Sequence, residues 1–259
     1  MSRRHPGPVS SQAPRPLAVW AFARYFRSLF RRHFASVRWA ALDDPAGWDR
    51  SIPVILVANH SNWWDGFFSF LLTREWGLTF HILMEAAHLD RYPAFRRIGT
   101  LPMRRDSMLG AWEDLHAAGG TLGPGVALWI YPQGSRRPAS ELPWKLERGA
   151  AHLAIQHAGP VRICPVAFRY PFTGEQLPEA LALVGESWVH EGPGERRMLT
   201  DRIGAALRET ISALDAQLAG ETLAGFRVLV PGKLSINKRM DRIRHSLGML
   251  QGPFEERNG

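Results

Sequence analysis

From residue 53 onward, the chain alternates short apolar runs with segments of helical periodicity, and this alternation constrains the fold more than any other feature. The apolar runs predict strands at 54–58, 80–84, 100–103, 126–131, 163–168, 182–184 and 227–230. The helical segments lie near 64–74, 107–118, 148–158 and 195–219. This order predicts an α/β domain with a mixed, largely parallel sheet flanked by helices. In such sheets, binding sites form where parallel strands end.

A single domain is expected to account for most of the chain, since α/β folds of this length are common. Residues 1–16 are rich in proline, serine and arginine, which predicts a disordered tail. No long apolar segment follows this tail, so neither a signal peptide nor a transmembrane helix is expected. We expect an amphipathic helix over 17–40 and the folded domain over 41–259. Near the end, residues 230–239 (VPGKLSINKR) predict a turn followed by a basic, exposed stretch.

Positive charge is concentrated in the first 42 residues. They contain eight arginines and no Asp or Glu, whereas residues 43–259 carry equal numbers of basic and acidic side chains. Because the domain itself is neutral, a nucleic-acid partner is not expected. The lone cysteine, Cys164, excludes an internal disulfide framework and any Cys-based zinc cluster. Its apolar surroundings (VRICPVAF) predict a buried, inert thiol.

Residues 17–39 have the pattern of an interfacial membrane helix. If the segment is helical throughout, four arginines share one face: Arg24, Arg27, Arg31 and Arg38. The opposite face then collects Val19, Phe22, Phe26, Leu29, Phe30 and Val37. Arginines attract anionic headgroups, so this pattern predicts binding to an anionic membrane surface. The alternative is a helix that docks its apolar face on its own domain.

Polar residues follow the first predicted strand. His60 and Asp65 are five residues apart, about 140° on a regular helix, which is too far round for them to pair. They can pair if His60 lies before the helix and Asp65 in its first turn, with Ser61 or Asn62 as N-cap. Asp65 then accepts from one ring nitrogen and leaves the other free to take a proton from an alcohol. A pair that merely ties a loop to a helix would have the same spacing.

Three further polar segments follow later strands. WIYPQGSRRP (129–138) brings Gly134, Ser135 and Arg136 to a turn that can hold an anionic oxygen. GTLPMRRD (99–106) places Arg104 and Arg105 after a short strand, and ICPVAFRY (163–170) completes the set. Taken singly, each is equally typical of a solvated loop.

In this order, the four segments resemble those of glycerolipid acyltransferases of the 1-acylglycerol-3-phosphate (lysophosphatidate) type. That family carries N-H-x-x-x-x-D, G-x-x-x-x-x-R, F-P-E-G-[TS]-R and V-P-V blocks. The corresponding residues here are Asn59, His60 and Asp65; Gly99 and Arg105; Tyr131, Pro132, Gln133, Gly134, Ser135 and Arg136; and Cys164, Pro165 and Val166. The resemblance covers about residues 50–170. It departs from the family at Tyr131, where the family has Phe, and at Gln133, where the family has Glu.

The resemblance implies transfer of an acyl group from a thioester, acyl-CoA or acyl-carrier protein, to a hydroxyl of a lysophospholipid or related polar lipid. His60 would be the general base, oriented by Asp65. The implied substrate-binding residues are Arg105, Gln133, Gly134, Ser135 and Arg136, with the two arginines on the acceptor phosphate. No bound cofactor or metal is implied. The expected location is peripheral, on the cytoplasmic face of a membrane.

Other functions fit parts of the pattern. With Gln133 in place of Glu, the chain could be a non-catalytic lipid-binding relative, or it could act on a non-phosphorylated glycolipid or amine-bearing lipid. A metal-dependent hydrolase using His60 and Asp65 is disfavoured, because the sequence offers no further ligands at suitable spacing. The aromatic residues Trp63, Trp64, Phe67 and Phe68 could line an acyl channel, but a packed helix face is the more ordinary role.

Overall fold

The structure is a computed structural model, and it describes residues 13–138, 145–173, 176–220, 223 and 225–232. The α-helices are α1 (Pro16–His33), α2 (Asp65–Glu75), α3 (Ala86–Arg91), α4 (Met108–Gly119), α5 (Gly149–Gln156) and α6 (Arg196–Ala219). The strands are β1 (Ser36–Ala41), β2 (Val54–Ala58), β3 (Thr79–Glu85), β4 (Thr100–Met103), β5 (Val126–Ile130), β6 (Val161–Arg169), β7 (Ala180–Val184), β8 (Trp188–His190) and β9 (Arg227–Pro231). Short 3-10 helices cover Pro45–Gly47 and Pro93–Ile98.

These strands form one sheet in the order β4-β3-β5-β2-β6-β7-β1-β9, with β8 pairing with the beginning of β6. The strands from β4 to β6 in this order run parallel, whereas β7 is antiparallel to β6 and β9 is antiparallel to β1. Strand β2 is buried along its whole length (VILVA), as expected for a parallel strand with both faces covered. The sheet is mixed and mostly parallel, and helices flank it, which confirms the predicted fold class.

The two faces of the sheet are covered by different helices. One core contains residues of α1 and α2 with β2 and β6, including Phe30, Phe68 and Phe168. On the other face, α5 and the first half of α6 pack against β2 and β5, with Leu153 and Ile203 among the buried residues. Because β2, β4, β5 and β6 are parallel, the segments that follow them emerge at the same edge of the sheet.

The predicted amphipathic helix is shorter than expected. It ends at His33, and residues 36–41 form β1, which pairs with β7 and β9. Helical spacing wrongly placed Val37 and Arg38 in this helix. Val37 and Trp39 are buried and Arg38 between them is half-buried, which is the alternation of a strand. The predicted boundary at residues 40 and 41 is therefore wrong, because β1 is an internal strand of the domain.

The apolar face of α1 packs on the domain. Phe26 stacks on Phe67 of α2 at 4.3 Å between ring centroids, and Phe30 lies 5.0 Å from the Trp64 ring. Both phenylalanines are at most 1% exposed. The docked-helix alternative therefore holds for this face, and these rings are not available to a membrane.

Two predictions near the termini fall partly outside the described residues. The predicted tail, 1–16, is described from residue 13 onward, and there the Arg15 amide donates to the Arg97 carbonyl at 2.8 Å while Pro16 begins α1. Of the predicted basic stretch 230–239, residues 233–239 are outside the described part of the chain. Within the described residues, no helix is long and apolar enough to cross a membrane.

Candidate active site

The predicted site residues lie at one edge of the sheet. His60 follows β2, the turn Tyr131–Arg136 follows the adjacent strand β5, and Arg105 follows β4. The fourth predicted segment differs, since Cys164 and Val166 lie within β6 and are fully buried. Burial raises the pKa of the Cys164 thiol well above its usual range, which agrees with the predicted inert thiol.

His60 and Asp65 form a hydrogen-bonded pair. His60 Nδ1 lies 2.8 Å from Asp65 Oδ2, with His60 before the helix and Asp65 as the first residue of α2. The same oxygen accepts from the backbone amides of Ser61 and Asn62, at 3.0 and 2.9 Å. The prediction of Ser61 or Asn62 as N-cap is wrong, because Trp64 holds that position and the Asp65 carboxylate turns back onto their amides.

Tyr170 completes the surroundings of the carboxylate, and sequence reasoning missed its role. Its hydroxyl donates to Asp65 Oδ1 at 2.6 Å. Burial, reinforced by the charge of Asp65, raises the pKa of Tyr170 well above 10, so the hydroxyl keeps its proton. Asp65 is 0% exposed and accepts four hydrogen bonds, as a buried carboxylate requires. The sequence carried one signal, since Tyr170 comes just after the predicted strand 163–168.

The imidazole of His60 is held from its face as well as from its edge. It stacks on the Tyr131 ring at 4.3 Å between centroids and 10° between planes. The Tyr131 hydroxyl lies 3.0 Å from Ser69 Oγ on α2, which fixes that ring in turn. The His60 side chain is 22% exposed, and Nε2 has no hydrogen-bond partner among the described residues. With Nδ1 donating to Asp65, Nε2 is the basic nitrogen and faces outward.

Gln133 holds the backbone of His60. Its side-chain oxygen accepts from the His60 amide at 2.5 Å, and Gln133 itself is 6% exposed. The His60 carbonyl accepts from the Arg137 amide at 2.9 Å. Residues 133 and 137 therefore bond to the amide and the carbonyl of residue 60. Either a Gln or a Glu oxygen can accept this bond. Gln133 therefore positions the backbone of His60, and a Glu at this position could accept the same bond.

The turn after β5 also brings cations to the site. Gly134 has φ +68°, and a Cβ there would lie 3.1 Å from Glu147 Cγ and 3.3 Å from an Arg105 nitrogen, so glycine is needed for this close approach. The Arg105 guanidinium donates to the Gly134 carbonyl. Arg136 is exposed, and within the described residues it makes no ion pair. Ser135, between them, is half-buried.

Two other predicted residues have structural roles. Arg104 forms a two-pronged ion pair with Asp114 at 2.8 and 2.9 Å, so it is not available to a ligand as Arg105 is. Asn59 bonds to both the carbonyl and the amide of Phe168, at 3.1 and 2.7 Å, and joins β2 to β6 where β2 ends.

The aromatic residues after His60 divide by exposure. Trp64 and Phe68 are buried in the core, in agreement with a packed helix face, whereas Trp63 is 52% exposed at the mouth of the site. Across the part of the chain that the structure describes, no group of three or more His, Cys, Asp or Glu side chains could hold a metal.

Comparison with known proteins identifies a family for the part of the chain that holds the site. Residues 44–169, which contain all the site residues described above except Tyr170, match the family model named Acyltransferase. This part of the chain belongs to the acyltransferase family. No curated protein matches the chain.

A solved structure shares the fold. The chain is similar to the 1-acyl-sn-glycerophosphate (LPA) acyltransferase PlsC from Thermotoga maritima, with a TM-score of 0.56 and 14% sequence identity. The match covers 76% of this chain and 80% of that protein. At this identity, the likeness concerns the fold, and the acyltransferase chain of Thermotoga maritima has the same α/β architecture around its sheet.

Proposed function

We propose that this acyltransferase moves a fatty acyl group from a thioester to a hydroxyl of a polar lipid, with His60 as the general base. The observation that carries the proposal is the 2.8 Å pair of His60 Nδ1 with a fully buried Asp65, which leaves Nε2 open at the mouth of the site. Asp65 and Tyr170 are positioning residues, since they act through the imidazole.

The step needs no covalent intermediate on the protein. The acceptor oxygen attacks the thioester carbonyl carbon while His60 Nε2 takes the hydroxyl proton. The tetrahedral intermediate then collapses, the carbon–sulfur bond breaks, and the thiolate takes the proton from the imidazolium. The products are an ester and a free thiol, and His60 returns to its starting state.

The acceptor proposed is a phosphorylated lipid of the lysophosphatidate kind. Arg136 lies on the turn next to Gly134, and Arg105, which follows β4, donates to the Gly134 carbonyl. Gln133 uses its oxygen on the His60 amide rather than on a ligand. A phosphate bound by arginine gains charge-assisted hydrogen bonds. Equal or faster transfer to non-phosphorylated glycolipids or amine-bearing lipids, offered alongside lysophosphatidate, would contradict this acceptor but not the acyltransferase function.

The test of the catalytic role is a matched pair of histidine variants. With purified protein, lysophosphatidate and an acyl thioester, His60→Ala should lower the transfer rate by about 10²–10⁴-fold, the usual contribution of a general base. His157→Ala is the control, because His157 follows α5 at the opposite edge of the sheet. Full activity in a folded His60→Ala protein would overturn the mechanism. A wild-type protein that binds lipid without any transfer would instead favour the non-catalytic relative.

We also propose peripheral binding to the anionic, cytoplasmic face of a membrane through the outward side of α1. Leu17 and Trp20 are 77% and 57% exposed, and Arg24, Arg31 and Arg32 are exposed on the same side. Exposed arginines are attracted to anionic headgroups at about 1 kcal/mol each. The Arg27 side chain instead donates to the Leu229 carbonyl of β9 at 2.9 Å, so it helps to hold α1 on the domain.

Vesicle sedimentation tests this surface. Replacing Arg24, Arg31 and Arg32 together by Glu should release the protein from anionic vesicles, and salt should weaken binding of the wild type. Arg74→Glu, a change of the same sign at the end of α2, is the control. Unchanged sedimentation of the triple variant would show that α1 packs on the domain and does not bind the membrane.

A further inference from the structure

An open cleft of about 410 Å³ lies between the segment that precedes α5 and the first half of α6. Its lining includes four cationic side chains, Lys145, Arg148, Arg197 and Arg208, and one carboxylate, Asp201. A volume of this size is within the range of small-molecule sites in proteins. The cleft lining does not contain His60, Arg105 or Arg136, so it is separate from the site described above.

The cations of the cleft differ from three paired arginines elsewhere on the domain, whereas Arg136 shares with them the lack of an ion pair among the described residues. Arg104, Arg169 and Arg227 each pair with a carboxylate at 2.9 Å or less. None of the four cleft cations forms an ion pair or hydrogen bond with another described residue. Four such charges against one carboxylate repel one another, and a bound anion would offset that repulsion. The positive end of the α6 dipole adds to the effect, and the carboxylate of Glu195 at the N-cap offsets part of it.

The floor of the cleft depends on a glycine. Gly204 lies in the interior of α6, where glycine costs about 1 kcal/mol relative to alanine. A Cβ at this position would lie 3.0 Å from Leu146 Cδ1 and 3.3 Å from an Arg208 nitrogen. The missing side chain therefore lets Leu146 pack on the helix and lets the Arg208 guanidinium lie close to its surface.

The segment that lines the cleft also contacts the catalytic turn. Between Leu146 and Arg148, the Glu147 amide donates to the Pro132 carbonyl at 2.6 Å. Glu147 Cγ is also the atom that limits the space at Gly134, at 3.1 Å from an added Cβ. Residues 146–148 therefore join the cleft directly to the turn that holds His60.

We propose that this cleft binds the phosphate groups of a coenzyme A-type donor and so selects that donor over an acyl-carrier protein. The proposal rests on the proposed acyltransferase function. The acceptor's phosphate lies only a few bonds from the reacting hydroxyl and must bind near His60, where Arg105 and Arg136 are available. The nucleotide phosphates of coenzyme A are separated from the thioester by the long pantetheine arm. A concave cleft encloses such groups, whereas a carrier protein presents an acidic helix to a broad surface.

The first experiment measures binding without turnover. Calorimetric titration of the full-length protein with coenzyme A should show at least a tenfold higher Kd for the Arg197→Glu, Arg208→Glu double variant than for wild type. Arg202→Glu is the matched control, because Arg202 is on the same helix but lies over the Trp188 ring at 4.5 Å, outside the cleft lining. The control should bind as wild type does. Equal affinity of the double variant and the control would overturn the proposal.

The second experiment compares donors. In the double variant, the ratio of kcat/KM for acyl-CoA to that for acyl-pantetheine, which lacks the nucleotide phosphates, should fall at least tenfold. If the variant instead loses transfer from acyl-carrier protein alone, or raises KM for lysophosphatidate alone, the cleft belongs to another ligand and the proposal is wrong. If wild type binds coenzyme A through the cleft but transfers to no acceptor, the proposed function fails while the cleft assignment stands.

Discussion

Replacing Tyr170 by Phe removes one hydroxyl from a buried carboxylate and tests how Asp65 is held. The Tyr170 hydroxyl lies 2.6 Å from Asp65 Oδ1, and the other three donors to Asp65 all bond to Oδ2. The variant therefore leaves Oδ1 without a partner among the described residues, in a side chain that is 0% exposed.

The expected cost follows from the charge and the burial. Hydrogen bonds to charged groups contribute about 1.5–3 kcal/mol, and a buried acceptor left unpaired loses most of that. We expect Tyr170→Phe to lower the free energy of unfolding by about 2 kcal/mol, which corresponds to roughly 4–8 °C in Tm for a chain of about this size. The transfer rate should fall by less than in His60→Ala, because Oδ2 still orients the imidazole.

Denaturant unfolding at pH 7 measures the effect. Tyr92→Phe is the control, since Tyr92 is 51% exposed and should change stability by less than about 0.5 kcal/mol. A double-mutant cycle with Asp65→Asn adds a second condition. The cost of Tyr170→Phe should shrink when residue 65 is neutral, since bonds to a charged acceptor are about twice as strong. Equal stability of the two tyrosine variants would refute the reasoning.

Three further predictions follow from the same site. Asp65→Asn should reduce transfer less than His60→Ala does, because it disturbs the tautomer without removing the base, and steady-state kinetics on both variants would show this order. Gln133→Glu should leave Tm nearly unchanged, because an oxygen still accepts from the His60 amide. Gln133→Leu should lower the free energy of unfolding by about 1–3 kcal/mol. Equal Tm values for these two variants would contradict the role of Gln133. Burial raises the pKa of Tyr131 and Tyr170 well above 10, so the folded chain holds these protons to higher pH than the unfolded chain does. Their contribution to the unfolding free energy should be constant below about pH 10 and fall as the pH rises further, and Tyr170→Phe should make that fall shallower in denaturant titrations.

Local patterns were enough to predict most of the fold. The strands near 54–58 and 100–103 and the helix near 195–219 have the predicted positions to within a residue or two, because hydrophobic periodicity depends on neighbours in the chain. The placement of His60, Arg105 and Gly134 at one edge followed from the rule that parallel strands end together. The spacing of His60 and Asp65 also required the local geometry that the structure has.

What the sequence could not determine depends on contacts between distant segments. The helical spacing of residues 17–39 predicts a helix where β1 forms, because the strand character of β1 comes from pairing with β7 and β9, about 140 and 190 residues further along. The aromatic face of α1 looked suited to a membrane, and only the position of α2 shows that Phe26 and Phe30 have a protein partner.

The same holds inside the site. Tyr170 and Gln133 reach the His60–Asp65 pair from strands β6 and β5, and the cleft cations come together only where the segment before α5 meets α6. A sequence by itself determines which side chains follow each strand, since that order is covalent. Tertiary structure decides which of those side chains meet, because strand order and helix packing set distances between residues that the chain itself leaves far apart.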